Sequence, residues 1–324
     1  METERASTQA KAQIGTPHWA RMGEETFIFG IWLLYWIHHV FGRLPFRICL
    51  FPVAAVHWTL RPTLRFSSMQ YLSRLQISTN ALGHTPTWRD GIRHVVLFAE
   101  TLLDKLLAVS GKYSFSQIAR NTLSQMQEEI KVGRGGVIVT AHIGCLELCS
   151  ALAEQDKEVR LNILTHTQNA EKFNQILKRL NPHTSLRLIE VSEITPATAV
   201  FLANCVAAGE FIVTTGDRVP ILSKQFVHAN FLGQKAAFPI GPYVLANLLK
   251  SPLFFLACIH TKSSYEIHFE KIAEKIQLPR GNREAAAEEY ALCFANKVTE
   301  LLKRSPYDWF NFFPFWDQGN INNE

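Results

Sequence analysis

The chain has 324 residues, 47% of them hydrophobic, with a formal net charge of +5 and a pI near 8.9. That length exceeds one minimal domain and suits an α/β catalytic domain of about two hundred residues with an extension. The mild positive balance is too weak to imply nucleic-acid binding, and it suits an anionic lipid surface or an acidic carrier protein. The six cysteines, Cys49, Cys145, Cys149, Cys205, Cys258 and Cys293, mostly sit in apolar runs and form no Cys-x-x-Cys pair. They read as free thiols behaving as small hydrophobes in a reducing compartment. His142, Cys145 and Cys149 lack a fourth ligand, so neither a metal nor a redox cofactor is expected.

Residues Met1 to Arg21 are polar and no small-residue cleavage site follows an apolar stretch, so the pattern is not that of a secretory signal. Two apolar runs follow, FIFGIWLLYWIHHVF (Phe27 to Phe41) and LPFRICLFPVAAVHWTL (Leu44 to Leu60). A spanning helix needs about 20 apolar residues, which neither run cleanly supplies. Arg43 and Arg47 interrupt the pair, and Pro45 and Pro52 disfavour one straight helix. The runs therefore read as a hydrophobic helical membrane anchor, either one interface-flanked span or a monotopic hairpin in one leaflet. Arg61, Arg65 and Arg74 suit anionic headgroups. On this reading residues 1–85 are a membrane-associating segment and 86–324 a catalytic domain facing the cytoplasm.

Ser78 to Arg89 reads as a linker. Helical spacing follows over Gly91 to Ser110 and Phe115 to Val132. Strand-like runs then alternate with helical ones. The strands are Gly136–His142, Val159–His166, Leu186–Val191, Phe211–Gly216 and Pro252–His260; Tyr265–Lys271 alternates like an edge strand. The helices are Leu146–Glu154, Ala170–Leu180, Pro196–Ala208, Gly241–Lys250 and Arg283–Arg304. This order predicts an α/β domain with a mixed, mostly parallel sheet flanked by helices.

The sharpest local feature is TAHIGCLE, Thr140 to Glu147. A histidine closes a hydrophobic strand, and a carboxylate follows five residues later in the next helix. Sites form at the carboxyl edge of such sheets. Glu147 is expected to accept a hydrogen bond from one ring nitrogen of His142, fixing the tautomer while the other nitrogen removes a proton. There is no G-x-S-x-G elbow, so the acceptor itself attacks. His166, His183, His228 and His260 have no paired context and read as surface or satisfied core residues.

TAHIGCLE resembles the His-x4-Asp/Glu motif of the lysophospholipid acyltransferase superfamily, and the chain is most similar to its bacterial branch, which includes the late (lauroyl/myristoyl) acyltransferases of lipid A synthesis. Three further blocks resemble that family in order: GEFIVTTGDRVPI (Gly209 to Ile221), FLGQKAAFPIGP (Phe231 to Pro242) and PYDWFNFFPFW (Pro306 to Trp316). HWARMGEETF (His18 to Phe27) resembles a subgroup found beside polyene or unusual fatty acid clusters. The resemblance implies His142 as general base with Glu147 as its partner. It places Asp217 and Arg218 among acceptor-binding groups, and Gly233, Pro239, Gly241 and Pro242 in a loop shaping the substrate site. Backbone N–H groups of Gly241 to Tyr243 open a helix that can receive an anion or oxyanion. The expected activity is acyl transfer from acyl carrier protein or coenzyme A to a hydroxyl or amine of a lipid, on the cytoplasmic face of the inner membrane. Glu147 and PIG stand where the glycerolipid branch has Asp and Pro-Glu-Gly, which argues against glycerol phosphate as acceptor. The alternatives are a non-catalytic lipid- or carrier-binding scaffold and a hydrolase. The aromatic C-terminal block reads either as core or membrane-facing belt, or as packing near an acyl tunnel or membrane interface.

Overall fold

A computed structural model describes residues 35–318 except 115–117, 119–122, 156–159, 166–174, 176–178, 180–186, 191–194, 221–224 and 263. After a helical stretch over 35–41, α1 (Arg43–Leu60), α2 (Pro62–Thr79) and α3 (Trp88–Val109) wrap the domain. Then come α4 (Leu123–Lys131), β1 (Gly136–Thr140), α5 (Leu146–Gln155), β2 (Leu161–Thr165), β3 (Arg187–Glu190), α6 (Pro196–Ala207) and β4 (Phe211–Thr215). The chain closes with β5 (Phe226–Phe231), β6 (Gln234–Pro239), α7 (Gly241–Leu249), β7 (Leu253–His260), β8 (Tyr265–Ala273), α8 (Arg283–Arg304) and a 3-10 turn over Phe315–Asp317.

Six strands form one sheet in the order β3-β2-β4-β1-β7-β8. Every neighbouring pair is parallel except β7 with β8, so the mixed, mostly parallel α/β sheet is as expected. β1 lies between β4 and β7 and all five of its residues are buried, because helices cover both faces. Period-two alternation divides those residues between two cores. Val137 and Val139 join Phe255, Ala257 and Ile259 under α2, α7 and α8, while Ile138 joins Phe254, Leu256 and Cys258 under α5. Burying each of these Val, Ile, Leu and Phe side chains contributes about 1.5–3 kcal/mol. The predicted helix over Ala170–Leu180 lies largely outside the described residues.

Sequence periodicity missed the β5–β6 hairpin. Its two-residue turn is Leu232-Gly233, both with positive φ, and it packs against α8. A left-handed turn of this kind favours glycine at its second position. The first helices also differ from the expectation. Among the described residues no helix is long and apolar enough to cross a membrane, so a spanning anchor is not seen there. Arg43 and Arg47, which interrupt the apolar runs, reach across to carboxylates of α3 while staying about half exposed. Arg43 donates two hydrogen bonds to Asp104 (2.7 and 2.8 Å), and Arg47 donates to Glu100 (2.6 Å). Tyr71, Leu72 and Leu75 of α2 belong to the main core, so packing runs continuously across the expected boundary at 85/86.

Candidate active site

β1 and β4 lie side by side, yet their onward connections cover opposite faces: α5 covers one core, and the hairpin with α7 covers the other. Neighbouring strands that part in this way leave a crevice at their carboxyl ends, where α/β proteins bind ligands. His142 follows β1 and Asp217 follows β4. The Gly216 N–H bonds Thr140 O (2.8 Å) and carries the pairing one step further, bringing the two residues together.

Asp217 grips His142 twice. His142 Nδ1 lies 2.8 Å from Oδ1, and the His142 backbone N–H donates to Oδ2 at 3.0 Å. Asn311 Nδ2 (2.9 Å) and Trp309 Nε1 (3.3 Å) donate to the same Oδ2. Asp217 is buried at 2% exposure, so these four donors replace its water. Burial raises its pKa, but the charge and hydrogen bonds of His142, with Arg218, outweigh that and hold the carboxyl well below the usual carboxylate range. Asp217 is therefore ionised, which fixes the proton on His142 Nδ1 and leaves Nε2 with its lone pair. Nε2 makes no hydrogen bond among the described residues, and the side chain is 32% exposed. Burial, and then the charge of Arg218, press the His142 imidazole below its ordinary pKa; Asp217 opposes them.

The expected His142–Glu147 bond is replaced. Glu147 sits in the first turn of α5 and forms an ion pair with Lys105 of α3 (2.9 Å). The physical reason is the backbone between the two residues. Gly144 has φ +56, and Gly144 N–H and Cys145 N–H bond Asp308 O and Cys258 O. This sharp turn aims the start of α5 toward α3. A Cβ at Gly144 would lie 1.8 Å from Cys258 O, so glycine is required there. Lys105 burial opposes its charge, and Glu147 more than restores it, raising the ammonium pKa. Lys105 still acts electrostatically on His142, whereas Glu147 is engaged with Lys105.

Arg218 donates from Nε to Asn311 Oδ1 (2.8 Å) and from Nη2 to Phe310 O (3.0 Å), and packs over the Phe313 ring. Burial lowers its pKa to about 10, still charged at neutral pH. Gly233 lies at the exposed tip of the hairpin, and Pro239 ends β6. Gly241 and Pro242 open α7, whose Tyr243 N–H is already bonded to Ile240 O (3.1 Å). Among the described residues no hydrogen bond joins Gly233, Pro239, Gly241 or Pro242 to His142; Pro239 and Pro242 are buried, while Gly233 and Gly241 are exposed.

The C-terminal block does more than pack. Residues 308–310 run antiparallel beside 142–144: Phe310 N–H bonds His142 O (2.8 Å), and Ile143 pairs with Trp309. Trp309, Phe310, Phe313 and Phe315 are buried, the core reading of this block, while Phe312 and Trp316 are partly exposed. Asp308 also pairs with His260 at the end of β7, meeting both its backbone N–H (2.6 Å) and its ring Nδ1. His260 thus repeats the His142 arrangement one strand away and is not an unpaired histidine. Sequence spacing gave no sign of Asn311, Trp309, Asp308 or Lys105, because each reaches the site from a distant part of the chain. Among the described residues no cluster of His, Cys, Asp and Glu is suited to a metal ion. No protein-family model matches the chain, and no curated protein shows significant similarity to it.

Proposed function

We propose that the protein is a membrane-associated acyltransferase that moves a fatty acyl group from a thioester of acyl carrier protein or coenzyme A to a hydroxyl or amine of a lipid. The observation that carries this reading is His142 Nδ1 locked to the ionised, buried Asp217 at the carboxyl edge of the sheet, with the His142 side chain about one-third exposed. The order of the TAHIGCLE, TTGDRVPI, FLGQ and WFNFFPFW blocks supports it.

In this mechanism Nε2 takes the proton from the acceptor O–H or N–H as that atom attacks the thioester carbonyl carbon. The imidazolium formed is stabilised by Asp217 without proton transfer to it. The tetrahedral oxyanion collapses, the C–S bond breaks, and the departing thiolate recovers the proton from Nε2. Arg218 and Lys105 both act on His142 electrostatically, so the developing negative charge forms in a positive field. Asp217 is thus a positioning residue rather than an acceptor-binding one.

We place the protein on the cytoplasmic face of the inner membrane, and membrane contact as such is supported by α1. It buries Phe46, Leu50 and Ala54 against the domain and turns Leu44, Ile48, Phe51, Val56 and Leu60 outward, each more than half exposed. An exposed apolar row of this extent marks an interaction surface, and its helix suits a position in the interfacial plane.

The test is incubation of the purified protein, and of its His142→Ala variant, with labelled acyl carrier protein and a lipid extract, with products read by mass spectrometry. The expected result is an acylated lipid made by the wild type and reduced about 10²–10⁴-fold in the variant. An undiminished product in a folded His142→Ala protein would overturn the mechanism.

A further inference from the structure

The segment from Arg43 to Arg89 contains Arg43, Arg47, Arg61, Arg65, Arg74 and Arg89 and not one Asp or Glu. The structure divides these arginines by role. Arg43 and Arg47 are paired with Asp104 and Glu100 of α3, so they are not available to a surface ligand. Among the described residues Arg61, Arg65 and Arg89 form no ion pair with a carboxylate, and they lie near the corner where α1 meets α2 and α3 begins.

That corner holds a groove of about 440 Å³ lined by Trp58, Pro62, Arg65, Phe66, Met69 and Trp88, an almost wholly apolar floor with one cation in its wall. Phe66 and Trp88 are more than half exposed. Arg65 lies over the Trp58 ring at 5.6 Å, and Arg89 over the Trp88 ring at 5.3 Å, so each aromatic wall carries a guanidinium. The outward row of α1 ends at Leu60, two residues before Pro62 of the groove. An apolar trough rimmed by arginines and continuous with an exposed apolar helix face complements an amphiphile with a negative head.

We propose that this groove is a binding site for an anionic phospholipid of the bilayer, its acyl chain against Trp58, Phe66, Met69 and Trp88 and its phosphate on Arg65, with Arg61 and Arg89 at the rim. The site lies at the start of α3, whereas Lys105, the α3 residue acting on His142, lies near its end. This deepens the membrane-association part of the proposed function and does not depend on acyl transfer.

The test uses the full-length chain, wild type and the His142→Ala variant, with vesicles of phosphatidylcholine alone or with added phosphatidylglycerol. Adsorption is read by co-sedimentation, and Trp88 insertion by quenching with phospholipids brominated along the acyl chain. Adsorption is expected to require phosphatidylglycerol, to weaken about fivefold for Arg65→Gln and again for Arg89→Gln, and to be the same in His142→Ala. Bromolipid quenching is expected to fall in Trp88→Phe, which keeps the groove apolar. Equal adsorption to both vesicle types, or quenching unchanged in Trp88→Phe, would overturn the proposal. So would a dimer in vesicle-free solution that Phe66→Asp dissociates, since a second copy would then fill the groove. Vesicle binding without acylated product would remove the acyltransferase reading and leave the lipid site standing; product without groove-dependent binding would do the reverse.

Discussion

At the scale of single residues, the chemistry turns on which carboxylate holds His142. Asp217 favours the charged imidazole, so its removal lowers the His142 pKa and weakens the base. Asp217→Asn is expected to cut kcat about 10²–10⁴-fold and to move the acidic limb of the pH–rate profile to lower pH. In the wild type that limb lies below the ordinary histidine value, because burial and Arg218 press the pKa down. Glu147 acts elsewhere. Glu147→Gln leaves the ammonium of Lys105 without its counter-charge and is expected to lower the urea-unfolding free energy by about 1–3 kcal/mol. The acidic limb should stay in place in that variant; a shift matching that of Asp217→Asn would show that Glu147 is the true partner of His142. His-x4-Glu was legible in the sequence as a constellation, but its internal pairing was not. Five residues of separation are compatible with contact, and only the left-handed turn at Gly144 sends Glu147 toward α3 instead.

At the scale of elements, α1 is held to α3 by charge as well as by packing. Asp104 is fully buried and accepts from Arg43 and from Tyr265 Oη (2.9 Å), tying α1, α3 and β8 at one carboxylate. Burial raises its pKa, with Arg43 opposing. Asp104→Asn keeps the shape but strands the Arg43 charge. It is expected to cost about 1–3 kcal/mol and to speed hydrogen exchange across α1 more than across β1. Uniform acceleration of both elements would mean that α1 is not a separately anchored unit. The strands and long helices were legible because each carries its own period: β1, β4 and β7 as short β-branched or aromatic runs, and α8 as an amphipathic helix from Arg283 to Arg304. The β5–β6 hairpin was not, since its turn is Leu-Gly and its strands carry His228, Asn230 and Lys235 among the apolar residues.

At the scale of the whole molecule, a buried neutral histidine joins three distant parts of the chain. His94 of α3 is wholly buried; its Nε2–H donates to Trp309 O (2.9 Å), and its Nδ1 accepts from Ser68 Oγ of α2 (2.9 Å). Burial lowers its pKa to about 4. Below pH 6.5 the unfolded chain therefore binds a proton that the native state refuses. The stability this histidine contributes is complete above pH 6.5 and declines as pH falls toward 4, by about 3 kcal/mol in total at about 1.4 kcal/mol per unit. Asp217, depressed in the native state, adds a further loss at lower pH as its carboxylate protonates. Urea unfolding at pH 7.5 and 5 measures the first effect, which should be absent in His94→Gln if that variant folds. An unchanged pH dependence there would assign the loss to other groups.

Period and punctuation along the chain determined the strand–helix order, the parallel sheet and the position of His142 at the carboxyl end of β1. These are local properties, written in residues close enough in sequence to interact wherever the chain goes. The tertiary structure alone decided that Asp217 holds His142 and is itself held by Asn311 and Trp309, that Arg43 and Arg47 pair with carboxylates of α3, and that Arg65 and Arg89 lie over the Trp58 and Trp88 rings. Those assignments join residues as much as 169 positions apart, counting from His142 to Asn311. Which partner a charge finds across such a distance depends on how the layers close around it, and no spacing in the sequence carries that.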